Sequence, residues 1–483
     1  MRERLNQPLR LAVVGIMKAG KSTFMNALLG ANVVYTGLLE TTYTVGWFKY
    51  AQTPSLQICF RDGGVLDAPF EDLAKWSIRK YEQENPRIND VKYLIVYYPC
   101  EVLKHMEFID TPGLSSIYEK DAENTESFLG LKSEETRHEA SIADAVIYAF
   151  SRSMGAADEE VMNAFHGSGS DASPINSIGI LTKVDATGIW DIFGTASPVE
   201  MGQQVCDTMM QNSKMKRMLF TTFPVCAKPV EGLSLLGDSE WTALEKLAVM
   251  THDDASACLF DANLFATMNG SPFDDIGSAD CRKALLLALG QYGALQVSDL
   301  LRSGVARGEL LARLQEDCGI NAVQRMVHSH FGNRTFLIKS RYILTQLLTY
   351  AGKTLKTSSD PALRSICAQL KERIDDLISN SQAFSELKAL QSYYNGHLQF
   401  LDPAELEDFL AVTGEYGRSA EARLGAEGTH TVAELEALAR EKIALWQAKA
   451  NDFMADGAYV DAASIITRSY EYMYYHLNAL SEE

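Results

Sequence analysis

Leu9–Val14 reads Leu-Arg-Leu-Ala-Val-Val, an apolar run that predicts a strand buried on both faces. It gives way to glycines and lysines. Over 22–29, Phe24, Met25, Leu28 and Leu29 then fall at helical spacing before Gly30, a helix stop signal. Strand-like apolar stretches recur leading into Asp110, at Ala145–Phe150, at 177–181 and just before Pro224. After roughly residue 290 the pattern changes to long helical periodicities rich in Leu, Ala, Glu and Lys. Candidate helices occupy 281–301, 308–317, 321–331, 335–355, 362–378, 404–413, 432–453 and 459–477, and their apolar stripes call for burial in a bundle. Between the two regimes, 268–278 opens Met-Asn-Gly-Ser-Pro-Phe-Asp and reads as a linker or surface loop.

The chemistry sits where strand-like runs end. Between the first strand and the first helix stands Gly15-Ile16-Met17-Lys18-Ala19-Gly20-Lys21-Ser22. In such a loop successive backbone N–H groups form an anion nest, Lys21 reaches the outer phosphates and the Ser22 hydroxyl ligates Mg²⁺. Gly15, Met17, Lys18, Ala19, Gly20, Lys21, Ser22 and Thr23 are therefore candidate phosphate-binding residues. Downstream, Phe108-Ile109-Asp110-Thr111-Pro112-Gly113 delivers Asp110 to the metal and leaves the Gly113 N–H free for a γ-phosphate. Thr182-Lys183-Val184-Asp185 follows the strand-like run 177–181 and suits base reading. An aspartate accepts from both N1–H and the exocyclic amine of guanine, whereas adenine offers neither, so the expected nucleotide is GTP. Cys226-Ala227-Lys228 would complete the base pocket, with the Ala227 N–H meeting the guanine carbonyl.

The segment 35–45 should be the first switch, supplying Thr42, or Thr41 beside it, to the metal and the γ-phosphate. The alternative for either threonine is a β-edge position with no ligand role. The second switch runs from Gly113 into the polar stretch 115–138, whose length suggests an insertion.

With these motifs in hand the chain resembles the dynamin superfamily, and specifically bacterial dynamin-like GTPases, in which an Ala-Gly-Lys-Ser loop leads into a helix like Asn26-Ala27-Leu28-Leu29-Gly30. The resemblance covers roughly residues 9–230. It implies an α/β P-loop GTPase domain over 1–280, with a mixed, mostly parallel sheet and helices on both faces, then an all-α helical bundle or short stalk over 281–483. It also implies Mg²⁺-dependent GTP hydrolysis, homodimerisation through the GTPase domain, helical-domain movement and membrane remodelling with peripheral membrane contact. A second dynamin-like protein is an expected partner. The alternative function is a GTP-binding scaffold or switch protein with little hydrolysis.

Two positions depart from the family. Leu114 stands where small GTPases place a water-orienting glutamine, and Met17 where dynamins carry one in the phosphate loop. Lys18 occupies the place of an internal arginine finger in guanylate-binding proteins, and the expectation is that its ammonium supplies charge in cis, with Lys21, Thr41 and Thr42 completing the catalytic set. The bland alternative is a solvated loop lysine. The N-terminal arm is short for a family whose members recruit a helix from ahead of the GTPase domain, so bundle helices and any hinge, around 265–310, should come from the C-terminal half.

Composition narrows the partners. The formal charge of −19 over 483 residues argues against nucleic acid, which needs clustered Lys and Arg. No apolar run of transmembrane length and no room for a signal peptide ahead of Leu9 are apparent, so a cytoplasmic location, peripheral at a membrane, is expected. The eight cysteines are scattered without a close pair, which predicts reduced, non-metal thiols. His328 and His330 read as packing or helix-surface residues.

Overall fold

In a computed structural model, which describes residues 7–16, 18–34, 45–78, 83–111, 143–151, 174–186, 190–400, 402–426 and 428–481 with Leu5 and Tyr81, the apolar runs become the centre of one nine-stranded sheet. The strands are β1 (Leu9–Val14), β2 (Val45–Tyr50), β3 (Ser55–Phe60), β4 (Val65–Ala68), β5 (Val91–Tyr98), β6 (Met106–Asp110), β7 (Ala145–Phe150), β8 (Ser177–Thr182) and β9 (Thr222–Val225). Their order is β4-β3-β5-β2-β6-β1-β7-β8-β9. From β6 to β9 every pairing is parallel, whereas β2 runs antiparallel to β6 and β3 antiparallel to both β4 and β5. The sequence follows this division. Every residue of β7 and β8 is buried, as a parallel sheet covered on both faces requires, while the edge strand β4 is largely exposed.

Helix α1 (Lys21–Leu29) follows β1 directly, starting after Gly20 and stopping at Gly30, both left-handed. Further helices are α2 (Pro198–Met210), α3 (Ala227–Gly232), α4 (Asp238–Val249), α5 (Ala279–Arg302), α6 (Leu310–Asp317) and α7 (Ile320–Met326). Helix α5 is long and apolar enough to cross a membrane by length and composition, but here it packs on α3 and α4 and half of its apolar window is buried. The expected continuous helix over 281–301 is broken, because Gly290 adopts φ 71°, ψ 179°. The expected helix 321–331 is likewise two pieces, α7 and a π-helical stretch at Val327–Asn333.

Beyond it run α8 (Thr335–Thr357), α9 (Pro361–Asn380), α10 (Gln382–Tyr394), α11 (Pro403–Val412), α12 (Val432–Ala450) and α13 (Gly457–Ser481). The periodicity did not single out α10, although Phe384, Leu387 and Leu390 line its buried face. α12 and α13 form a long pair around the fully buried Trp446 and Tyr470, so these aromatics are core rather than surface. Further along α13, Tyr472 and Tyr475 are exposed, at 50% and 70%.

The C-terminal helices are anchored to the sheet by side chains that the sequence leaves anonymous. Lys339 of α8 is 1% exposed; its ammonium lies 3.6 Å from Asp144 at the start of β7 and donates to the carbonyls of Gln7 and Pro8 just before β1. His330 is fully buried, stacks on Phe220 with centroids 4.2 Å apart, and donates from Nε2 to the Ile175 carbonyl at 2.6 Å. Its neighbour His328 is exposed, so both histidines are packing or surface residues.

Candidate nucleotide-binding site

Gly15, Asp110, Lys183 and Cys226 leave or end β1, β6, β8 and β9 at the same, carboxyl, edge of the parallel part of the sheet, where open α/β folds bind ligands. The phosphate loop is held there by backbone geometry that few residues accept. A Cβ at Gly15 would collide with the Ala149 carbonyl of β7, and Gly20 needs φ 80°. Two lysines, Lys18 at φ 62° and Lys183 at φ 57°, also take left-handed backbone. Such conformations cost on the order of 1 kcal/mol each and persist only where surroundings enforce them. Here the two are tied together, since Lys183 Nζ donates to the Lys18 carbonyl at 2.7 Å. Thr182, buried at the end of β8, donates to the Ala19 and Phe150 carbonyls at 2.6 and 3.1 Å and ties the turn that follows β8 to the phosphate loop.

Lys21 is 7% exposed and folds onto the Gly15 and Ile16 carbonyls at 3.2 Å each. The Ser22 hydroxyl donates to Asp110 Oδ2 at 3.4 Å. Among the described residues, Asp110 Oδ1 is buried with no hydrogen-bond partner. Burial pushes the Asp110 carboxyl up to about 6, against the pull of the Lys21 ammonium, the Ser22 hydroxyl and the Thr111 backbone. An orphaned carboxylate oxygen beside a serine hydroxyl is a donor set that fits a hard divalent cation such as Mg²⁺. Thr23 lies half-buried in the first turn of α1, and the Lys18 side chain is exposed. Met17, Thr41, Thr42, Gly113, Leu114 and the stretch 115–138 lie outside the described residues.

The residues expected to read the base also converge. The Cys226 thiol, pushed well up by burial and then by its hydrogen-bonded neighbour Cys318, stays protonated and bonds to Asp185. The Cys226 N–H donates to the Cys318 carbonyl at 3.0 Å, so two cysteines far apart in sequence become neighbours. Ala227, buried, opens α3, and Lys228 follows it. Asp185 lines a cavity of about 680 Å³ together with Trp190, Met201, Phe260 and Gln291. Trp190, Phe260 and the α5 pair Gly290 and Gln291 could not be picked out from the sequence, because three separate stretches of chain bring them together. The one local signal was a pair of glycines, Gly290 and Gly293, inside an otherwise helical pattern.

A glycine-rich loop between strand and helix, the buried Asp110 and the turn at Asp185, all at one sheet edge, are the arrangement of a P-loop domain of the guanine-nucleotide class. The family model of the dynamin family matches residues 11–184, so this segment is a dynamin-family domain, and a mostly helical region follows its mixed sheet. It is 27% identical over 432 residues to the isoniazid-induced protein IniC of Mycobacterium tuberculosis, covering 87% of this chain and 81% of that one. It is 36% identical over 115 residues to a bacterial dynamin-like protein of Nostoc punctiforme, covering 22% and 17%. A solved structure of an oligomerised bacterial dynamin pair, described as sensing and tethering membranes, aligns over 99% of this chain and 70% of its own at 16% identity and a TM-score of 0.33. At that score the likeness says nothing about how the parts are arranged.

Proposed function

We propose that the chain is an Mg²⁺-dependent enzyme that hydrolyses GTP to GDP and phosphate. The observation that carries this reading is the convergence of Lys21, Ser22 and Asp110 at one end of the site with Asp185 at the other, bridged by the Lys183 bond to the phosphate loop. Ser22 and Asp110 would hold Mg²⁺, with Thr42 or Thr41 from the first switch, and the ion would offset phosphate charge. Gly15, Met17 to Thr23 and Gly113 would bind the phosphates, and Thr182, Lys183, Asp185, Cys226, Ala227 and Lys228 the base. Lys18, exposed on a backbone fixed by Lys183, would bring its ammonium to the phosphates in cis when a second GTPase domain covers the site.

On this reading residues 1–280 act as the GTPase domain and 281–483 as the helical part that moves with the cycle. The protein works in the cytoplasm as a homodimer through its GTPase domain, or with a second dynamin-like protein, at a membrane surface that it remodels. Asp185→Asn tests the base site. The amide donates where the carboxylate accepted, so preference should pass from guanine to xanthine nucleotides. Retained GTP selectivity would mean that Asp185 does not read the base. Single-turnover hydrolysis over a wide range of protein concentration tests the enzyme. Rising specific activity is expected, and a flat line near zero would leave a GTP-loaded scaffold instead. Sedimentation with liposomes, with and without a non-hydrolysable analogue, tests the membrane contact.

A further inference from the structure

We propose that Gly290 is a specificity-determining residue of the nucleotide site: the break it makes in α5 keeps open the space beside Asp185 that the 2-amino edge of guanine occupies. The inference rests on Asp185 reading the base.

The glycines of α5 and α3 divide into two kinds. A Cβ at Gly293 would lie 2.8 Å from Pro229 Cγ, and one at Gly232 would collide with the Ala288 carbonyl, so these glycines let α5 approach α3. Gly290 has no such crowding. A Cβ there would sit 3.6 Å from Lys228 Cδ and 3.7 Å from Asp185 Oδ2, in ordinary contact with both. A methyl group at 290 would thus fit between two side chains of the base site without a clash, although a backbone at φ 71°, ψ 179° is one that L side chains rarely adopt. What it would fill is the room in front of the carboxylate.

The break has a second effect at the same place. Past Gly290 the Gln291 side chain donates to the Leu259 and Phe260 carbonyls at 2.7 and 2.9 Å and lines the cavity that Asp185 and Trp190 also line. Tyr292 packs edge-on against Trp190 with centroids 5.2 Å apart. An unbroken helix would carry these side chains round by the helical turn of each residue and out of this register. Guanine and hypoxanthine present the same N1–H and carbonyl, and differ in the 2-amino group. A side chain at 290 would therefore penalise guanine more than hypoxanthine.

The test is competition binding of GDP, IDP and ADP to the full-length chain with Mg²⁺, displacing a fluorescent guanine nucleotide. The wild type is expected to bind GDP about tenfold or more tighter than IDP, since the latter leaves an acceptor position of the half-buried Asp185 unpaired. Gly290→Ala should weaken GDP by about tenfold and IDP much less, so that the IDP/GDP ratio falls towards one. Gly304→Ala, also at positive φ (89°) but with nothing within 4 Å, controls for left-handed strain and should leave the ratio unchanged. An unchanged ratio in Gly290→Ala, or equal weakening of both nucleotides, overturns the proposal. Should that variant not fold, amide exchange of wild-type residues 286–294 decides: slower exchange with GDP than with IDP supports the role, and equal exchange overturns it. A wild type indifferent between GDP and ADP would instead sink the base-reading assignment of Asp185, and this inference with it.

Discussion

Asn26 offers a quantitative test of how the phosphate-loop helix is joined to the rest of the site. It is 2% exposed on α1, and its amide uses its full bonding capacity. Oδ1 accepts from the N–H groups of Val33 and Val34 at 3.0 and 2.7 Å, and Nδ2 donates to the Val34 carbonyl and to Glu231 Oε1 at 2.7 Å each. One side chain thus fixes the chain just ahead of the expected first switch and links it to α3 of the base site. Asn26→Ala removes the acceptor of two buried backbone donors and the donor to a buried carboxylate. At about 1–3 kcal/mol for each buried donor left unpaired, the expected loss is about 3–5 kcal/mol, a large part of the 5–15 kcal/mol typical of a domain. Asn26→Asp keeps Oδ1 but sets a second carboxylate oxygen against Glu231 and the Val34 carbonyl, so it should be no less destabilising at neutral pH. Guanidinium denaturation followed by tryptophan fluorescence measures the loss. If 35–45 is the first switch, binding of GDP against a non-hydrolysable GTP analogue should show the analogue weakened more, because the stretch leading into it has lost its anchor. A loss below about 1 kcal/mol for Asn26→Ala would refute the accounting, since a single net hydrogen bond is worth that much.

Two other predictions concern the junction between helices and sheet. His330 is pushed down to about 3, first by burial and then by the Arg334 charge, from an ordinary value of 6.5. Its folded-state value is depressed, so the stability it contributes is full above 6.5 and is lost as pH falls towards 3. Linkage gives about 2 kcal/mol lost between pH 7.5 and pH 5. Denaturation curves of wild type and His330→Phe should differ in pH slope by that amount, and parallel curves would contradict the assignment. Lys339→Met leaves Asp144 buried without that ammonium and should cost about 3–5 kcal/mol, part of it recovered by adding Asp144→Asn. The pair lies at the edge of the sheet away from the nucleotide, so GDP affinity measured by titration should hold; a large fall would mean that the two edges are coupled.

The nucleotide motifs were readable because each is a short contiguous stretch whose geometry is local. A strand, a glycine-rich turn and a helix start are enough to place Lys21 and Ser22, and a strand end is enough to place Asp110 or Asp185. The helical second half was readable for the same reason, since its 3.6-residue period is a local property. What tertiary structure alone decided are contacts between residues far apart in the chain. Gly290 beside Asp185, Cys318 against Cys226, Gln291 on Phe260 and Lys339 under Asp144 carry no signal in their own neighbourhoods. Even the break in α5, which two glycines could have suggested, takes its meaning only from the carboxylate that it faces. Periodicity records which side of an element is buried; it does not record which other element buries it, and the composition of the base pocket depends on that choice.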